Sequence, residues 1–217
     1  MSRPIDPELI RAGLSSLGQR DLHERADLFV RLLEELRRWN ARMNLTAILD
    51  AEDMVRSHIM DSLAVRSFLE GARVIDVGTG AGFPGLPLAI AEPGIEFELL
   101  DSHGRKLAFV QHVIGELGLG NATAVNSRAE DYAPGKRFDT VVARALAPTP
   151  RLLEVTAHLV GEDGVLLALK GKDPAAELET IDVSSGWQYD VTELTVPGLE
   201  SHARHLVRLR RTTGGET

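Results

Sequence analysis

The feature that most constrains this chain is a short β-type run, Val74-Ile75-Asp76-Val77, that breaks into glycines and then into an apolar helix ending near Ala91. The turn reads Gly78-Thr79-Gly80-Ala81-Gly82-Phe83-Pro84-Gly85. A strand feeding a helix through so tight a turn is the first half of a crossover between parallel strands. In such sheets ligands bind beyond the carboxyl ends of the strands, where glycines let the backbone approach closely. The helix N-terminus behind the turn adds free N–H groups. Alone, the turn indicates a nucleotide-like ligand and no more, because glycines also serve packing.

The chain downstream keeps the same alternation. Glu96 to Leu100 reads as a second strand ending at Asp101, and helix 103–118 carries Leu107, Val110, Val113, Ile114 and Leu117 on one face. Strand 122–126, a loop around Arg128 and Glu130, strand Thr140 to Ala143, helix 150–160 and strand Val165 to Leu169 follow. Strands alternating with helices imply an α/β fold with an open parallel sheet covered on both faces. Gln188 to Leu194 and His205 to Arg210 have only Pro197-Gly198 and a short loop between them, so they should pair as an antiparallel hairpin. Five parallel strands plus a C-terminal antiparallel pair make the Rossmann-like, seven-stranded sheet common among methyltransferases. The first seventy residues read as helical, with Leu28, Phe29, Leu32, Leu33 and Leu36 at helix spacing. Asp50 or Asp53 is expected to cap a further helix running through Met54, Ile59, Leu63 and Val65. The expected division is an N-terminal helical extension, 1–70, packed on a ligand-binding domain, 71–212. Thr212 to Thr217 reads as a frayed end.

A chain of 217 residues can bury one substantial core with a small appendage. The absence of cysteine excludes disulfides, thiolate zinc sites and a Cys nucleophile. The longest apolar runs, Leu86 to Ala91 and Val165 to Leu169, are too short to cross a bilayer, and Met1 to Glu35 has no signal-peptide core. A cytoplasmic home with no membrane partner is the expectation. The net charge of −8 does not indicate a nucleic-acid binder as a whole. Residues 1–70 hold 10 arginines against 12 acids, and residues 71–217 hold 14 bases against 20 acids. Any nucleic-acid contact must therefore use local patches. Arg37, Arg38 and Arg42 around Trp39 form one, and Arg204, Arg208, Arg210 and Arg211 another; taken alone, each reads first as a solvated face of a helix or strand.

Two details refine the glycine turn. The dinucleotide fingerprint needs its third glycine where this chain has Phe83, which tilts the ligand from NAD toward S-adenosylmethionine. Asp101 stands 25 residues after Asp76, where a carboxylate can accept from both ribose hydroxyls or cap the helix after it. At the end of the fourth strand, enzymes that methylate exocyclic amines carry Asp/Asn-Pro-Pro-aromatic; here it reads Ala143-Arg144-Ala145-Leu146-Ala147-Pro148. Arg144 cannot act as a base. The ring nitrogen N7 of guanine has a lone pair and no proton, so it needs none. Arg144 can bind a guanine edge or a phosphate, or make a salt bridge at the sheet rim.

His58, Asp61 and Ser62 share i, i+3, i+4 spacing like a hydrolase triad, but no Gly-x-Ser-x-Gly elbow accompanies them. A hydrogen-bonded cap of the helical extension on the sheet is the better reading. No His-Glu-x-x-His pattern occurs, so no metal is expected. Lys170-Gly171-Lys172 lacks the P-loop frame and reads as solvated lysines at a strand end, unless the substrate is nucleic acid.

These motifs, in this order, resemble the bacterial small-subunit (16S) ribosomal RNA guanine-N(7) methyltransferase family, RsmG/GidB. The residues carrying the resemblance are Trp39-Asn40, Asn44-Leu45-Thr46, His58 with Asp61-Ser62-Leu63, the segment Asp76 to Gly85, and Leu100-Asp101-Ser102. Arg128-Ala129-Glu130, Arg144-Ala145 and Lys170-Gly171 complete them. The resemblance implies S-adenosylmethionine as cofactor and S-adenosylhomocysteine as product, with no metal. It also implies 7-methylguanosine formed in 16S ribosomal RNA, within the small subunit or an assembly intermediate; the sequence does not fix the oligomeric state, and a monomer is the default expectation. It places Gly78 and Phe83 at the cofactor, Asp101 at the ribose, Ala129 and Glu130 at the adenine, and Arg144 beside the methyl group; Asp76, Gly80 and Gly82 of the same turn are cofactor-binding candidates with them. Arg105, Lys106, Arg128 and Lys170 become RNA-contact candidates. The family usually shows Lys-Arg where this chain has Arg105-Lys106. A methyltransferase of another acceptor and an NAD-binding domain are the alternatives.

Overall fold

The computed structural model describes residues 4–181 and 186–212. The expected frayed end lies, beyond Thr212, outside the described residues.

Seven strands form one sheet: β1 (Arg73–Val77), β2 (Glu96–Asp101), β3 (Ala122–Asn126), β4 (Phe138–Arg144), β5 (Val160–Lys170), β6 (Trp187–Glu193) and β7 (His205–Arg211). Their order is β3-β2-β1-β4-β5-β7-β6. The first five are parallel, and β7 inserts antiparallel between β5 and β6. The order reverses between β1 and β4, so these strands diverge to opposite crossovers and leave a crevice at their carboxyl ends.

The helices are α1 (Pro7–Ser16), α2 (Ala26–Met43), α3 (Ala51–Met54), α4 (Asp61–Leu63), α5 (Gly85–Ala91), α6 (Gly104–Leu117), α7 (Thr149–Thr156) and α8 (Ala175–Leu178). Asp50 caps α3, its side chain accepting from the Glu52 and Asp53 N–H groups. A π-helical stretch, Val55–Met60, joins α3 to α4. It winds wider than an α-helix, and His58, Asp61 and Ser62 are all buried against the sheet side of it. Phe29, Leu32, Leu33 and Leu36 of α2 are fully buried, each worth about 1.5–3 kcal/mol. They share one core with Leu86 and Leu88 of α5, Phe97 and Leu99 of β2, and Phe109 and Val110 of α6. The opposite face of the sheet, with Val141, Leu166 and Leu209, packs under α7 and α8.

Helix α2 runs antiparallel to α6. Arg31 donates to the Glu116 carbonyl at 2.7 Å, Glu35 and His112 pair at 3.0 Å, and the Trp39 ring meets Phe109 edge-on at 5.8 Å. This ladder carries the end of α2, with Arg38 and Arg42, toward the start of α6 at the carboxyl edge of the sheet.

Strand β5 begins five residues earlier than periodicity indicates, and the preceding helix ends four residues earlier than expected. The segment Gly161 to Gly164 lies flat against Phe138, where a Cβ on Gly164 would come within 2.8 Å of the Phe138 carbonyl oxygen. The register slips there, and no alternating pattern marks it.

Candidate active site

The glycine turn is held from behind. Asp76, fully buried at the end of β1, accepts from the Thr79 hydroxyl at 2.6 Å and the Gly85 N–H at 2.8 Å, both through Oδ2. Burial pushes its carboxyl up to about 6, against the lowering effect of those two hydrogen bonds. The N–H groups of Gly78 and Thr79 donate to the Leu100 carbonyl, fastening the turn to β2. Gly78 and Gly80 sit at φ 71 and 59, a region that side chains disfavour. At Gly85 the need is different: a Cβ would stand 1.9 Å from Leu99 Cδ2.

In front of the turn lies a cavity of about 410 Å³, within the usual size of small-molecule sites. Gly78, Gly80, Asp101, Ala129, Glu130 and Arg144 all line it, as do Lys106 and Arg128. Asp76, Gly82 and Phe83 do not. Asp76 braces the turn, Gly82 abuts Leu86, and Phe83 is buried with its ring stacked on His58 at 4.7 Å. Arg105 is exposed outside the cavity at the start of α6. His103, Leu146 and Arg151 also line it, and sequence reasoning had not singled them out. Leu146 gives the clearest signal, as a large apolar residue that stays 42% exposed just after Arg144-Ala145.

Asp101 is not the N-cap of α6, which begins at Gly104 after His103. Its Oδ2 accepts from the Gly80 N–H at 2.8 Å, and its Oδ1 accepts from the His103 N–H at 2.7 Å and faces the His103 ring at 2.9 Å. Asp101 lines the cavity, and its Oδ2 accepts one hydrogen bond of the two it can take.

Arg144 closes the other end. Its Nη1 donates to Asp61 Oδ2 at 3.0 Å and to the Ser57 carbonyl at 3.1 Å. The other oxygen of Asp61 accepts from Arg204 Nε at 2.8 Å. The helical extension is thus capped on the sheet by hydrogen bonds, through Asp61. Ser62 donates back to the His58 carbonyl within its own helix. His58 bonds the Thr46 hydroxyl at 3.0 Å, and burial, with Arg144 adding to it, lowers its pKa to about 4. Thr46 is in turn clasped by Asn40, whose amide oxygen and nitrogen both bond its backbone at 2.9 Å. Asn40 and Thr46 of these motifs are therefore scaffolding for His58.

Lys170 is not a solvated strand end. It donates to the Ala147 carbonyl at 2.9 Å and pairs with Glu177 at 3.1 Å, tying the loop after β4 to α8.

A seven-stranded sheet with a glycine turn after β1, a carboxylate ending β2 and an arginine ending β4 defines a class. The fold is that of the S-adenosylmethionine-dependent methyltransferases. It is similar to the structure of a putative O-methyltransferase from Klebsiella pneumoniae, with a TM-score of 0.60 at 12% identity over 86% of this chain and 90% of that one. It is also similar to the DhpI–SAH complex structure, with a TM-score of 0.57 at 18% identity over 84% and 97%. The family model described as rRNA small subunit methyltransferase G matches residues 25–207. Proteins named ribosomal RNA small subunit methyltransferase G are 40% identical over 98% of both chains in Nitrosococcus oceani, and 43% identical over 94% of this chain and 98% of the other in Methylococcus capsulatus. The chain belongs to the ribosomal RNA small subunit methyltransferase G family.

Proposed function

We propose that this chain transfers a methyl group from S-adenosylmethionine to N7 of one guanine in 16S ribosomal RNA. The single observation that carries the acceptor assignment is Arg144 at the mouth of the cavity. It is a permanent cation pinned by Asp61, in the place where amine methyltransferases hold an amide or carboxylate.

The cavity fits a nucleoside with a charged tail. The turn at Gly78 and Gly80 presents backbone without side chains, Asp101 can accept from two ribose hydroxyls, and Ala129 with Glu130 offers an edge for adenine. Asp76, Gly82 and Phe83 support this cradle from behind. The bound cofactor supplies an electrophilic methyl group on a sulfonium, and the protein's part is to align the acceptor with it. N7 has no proton to lose, so no side chain must take one. His58, stacked on Phe83, is held neutral.

Lys106 and Arg128 on the rim, with exposed Arg105, offer cations to RNA phosphates. The ladder between α2 and α6 adds Arg38 and Arg42 to the same edge. Residues 1–70 act as an extension that frames this edge beside the 71–212 domain. The substrate is the small subunit or an assembly intermediate, met in the cytoplasm by a monomer. Among the described residues no helix is long and apolar enough to cross a membrane.

Borohydride–aniline cleavage of 16S ribosomal RNA from cells with and without the gene tests the reading. One scission at a guanine should vanish without the gene and return when it is restored. A scission pattern identical in both strains defeats the acceptor assignment.

A further inference from the structure

Beside the main cavity lies a second one of about 220 Å³, whose walls include Asp61, Arg144, Leu169, Gly171, Leu194 and Arg204. The two cavities share Arg144 and Ala145. Ala145 turns the chain away from β4 with φ 52, a conformation alanine adopts only under constraint. A group seated in the second cavity therefore meets the contents of the first across Arg144.

Resting on the methyl-transfer reading above, we propose that the second cavity receives the acceptor guanine and that Asp61 is the positioning residue that builds it. The space is below the usual range for a whole small-molecule ligand, so it suits one planar base. Leu169 and Leu194 give it apolar walls. Its polar side is rich in donors. Arg144 spends only Nη1 on protein acceptors, while Asp61, a single carboxylate, faces two guanidiniums. The charge of Lys170 is already met by Glu177, so one positive charge remains in surplus.

Such a site selects among bases. On the edge that carries N7, guanine shows two acceptors, O6 and N7, whereas adenine shows an amino donor beside N7. A guanidinium donating to O6 holds guanine and leaves the N7 lone pair free; adenine would meet it donor to donor. As the new N7–carbon bond forms, the methyl–sulfur bond breaks, and the positive charge lost by sulfur appears on the base. No proton leaves N7.

Asp61 sets the geometry because it joins parts of the chain that are 83 and 143 residues from it in sequence. Without its charge the two guanidiniums repel each other and lose their common orientation.

Two variants test this with small ribosomal subunits from cells lacking the gene as substrate. Gly171→Leu adds bulk at a residue of the cavity wall where a Cβ would meet nothing within 4 Å, so the fold accepts it and the cavity mouth is narrowed. Asp61→Asn keeps the shape and removes the charge. Labelled-methyl transfer gives kcat and KM, calorimetry gives the Kd for S-adenosylhomocysteine, and a thermal melt reports folding. Gly171→Leu should lower kcat/KM about a hundredfold, and Asp61→Asn should lower kcat about tenfold, with Asp61→Glu recovering part of it. The Kd for S-adenosylhomocysteine should stay within about twofold throughout. Wild-type kcat/KM in Gly171→Leu overturns the cavity assignment, and wild-type kcat in Asp61→Asn overturns the role of Asp61. A loss of S-adenosylhomocysteine binding that matches the loss of transfer overturns both. If the wild-type protein itself transfers no methyl group to these subunits, the functional reading fails instead.

Discussion

Asp101→Asn separates the two duties of that carboxylate. In the wild-type protein Oδ2 holds the Gly80 N–H at 2.8 Å and Oδ1 holds the His103 N–H at 2.7 Å, and the side chain is only 7% exposed. Asparagine keeps one oxygen. Its amide NH2 must then face one of two N–H donors, so one of those bonds is replaced by a donor–donor contact. A hydrogen bond to a charged group is worth about 1.5–3 kcal/mol, and the ribose hydroxyls lose a charged acceptor as well. Together these losses predict that S-adenosylhomocysteine binds about 10- to 100-fold more weakly, since each 1.4 kcal/mol is tenfold. Isothermal titration calorimetry at pH 7 measures it, and NAD titrated into the wild-type protein serves as the competing ligand. A Kd within about twofold of wild type would refute the ribose assignment. Tighter binding of NAD than of S-adenosylhomocysteine would refute the cofactor class.

Two further outcomes follow from the site. His58 has its pKa lowered from 6.5 to about 4, so its neutral form is favoured by folding; its stabilising share is complete above pH 6.5 and is lost as the pH falls toward 4. Between pH 7 and pH 5 that share should shrink by about 2 kcal/mol, and urea denaturation should show His58→Phe losing that much less stability than wild type over the interval; equal slopes would refute it. Arg144→Ala should cut single-turnover transfer to unmodified subunits by about a hundredfold while the melting curve stays cooperative. Unchanged turnover would remove Arg144 from the reaction.

Much of this molecule is legible along the chain because its information is local. The glycine turn, the parallel alternation and the C-terminal hairpin follow from periodicity and turn chemistry, which depend on neighbours a few residues away. The limits of β3 and the ends of β1, β2 and β4 near the crevice lie within a residue or so of where periodicity puts them. Local patterns failed where local geometry departed from the regular periods. The π-helical turn at Val55–Met60 left no mark in the periodicity, and the flat run from Gly161 to Gly164 hid the start of β5.

The candidate site divides along the same line. Sequence order alone marked the residues that end strands at the crevice, because chain direction and crossover handedness put every such end on one edge: Gly78, Gly80, Asp101, Arg144. Which of the nearby charges are spent was decided only by the tertiary structure. Lys170 is consumed by Glu177 and the Ala147 carbonyl, and Asp76 faces into the turn instead of the cavity. Asp61 meets Arg144 and Arg204 from far along the chain, because the helical extension folds back over the carboxyl edge where β7 begins. A charge pair at that separation leaves no periodic trace in sequence; it exists only once the sheet order has placed β4 and β7 on either side of β5.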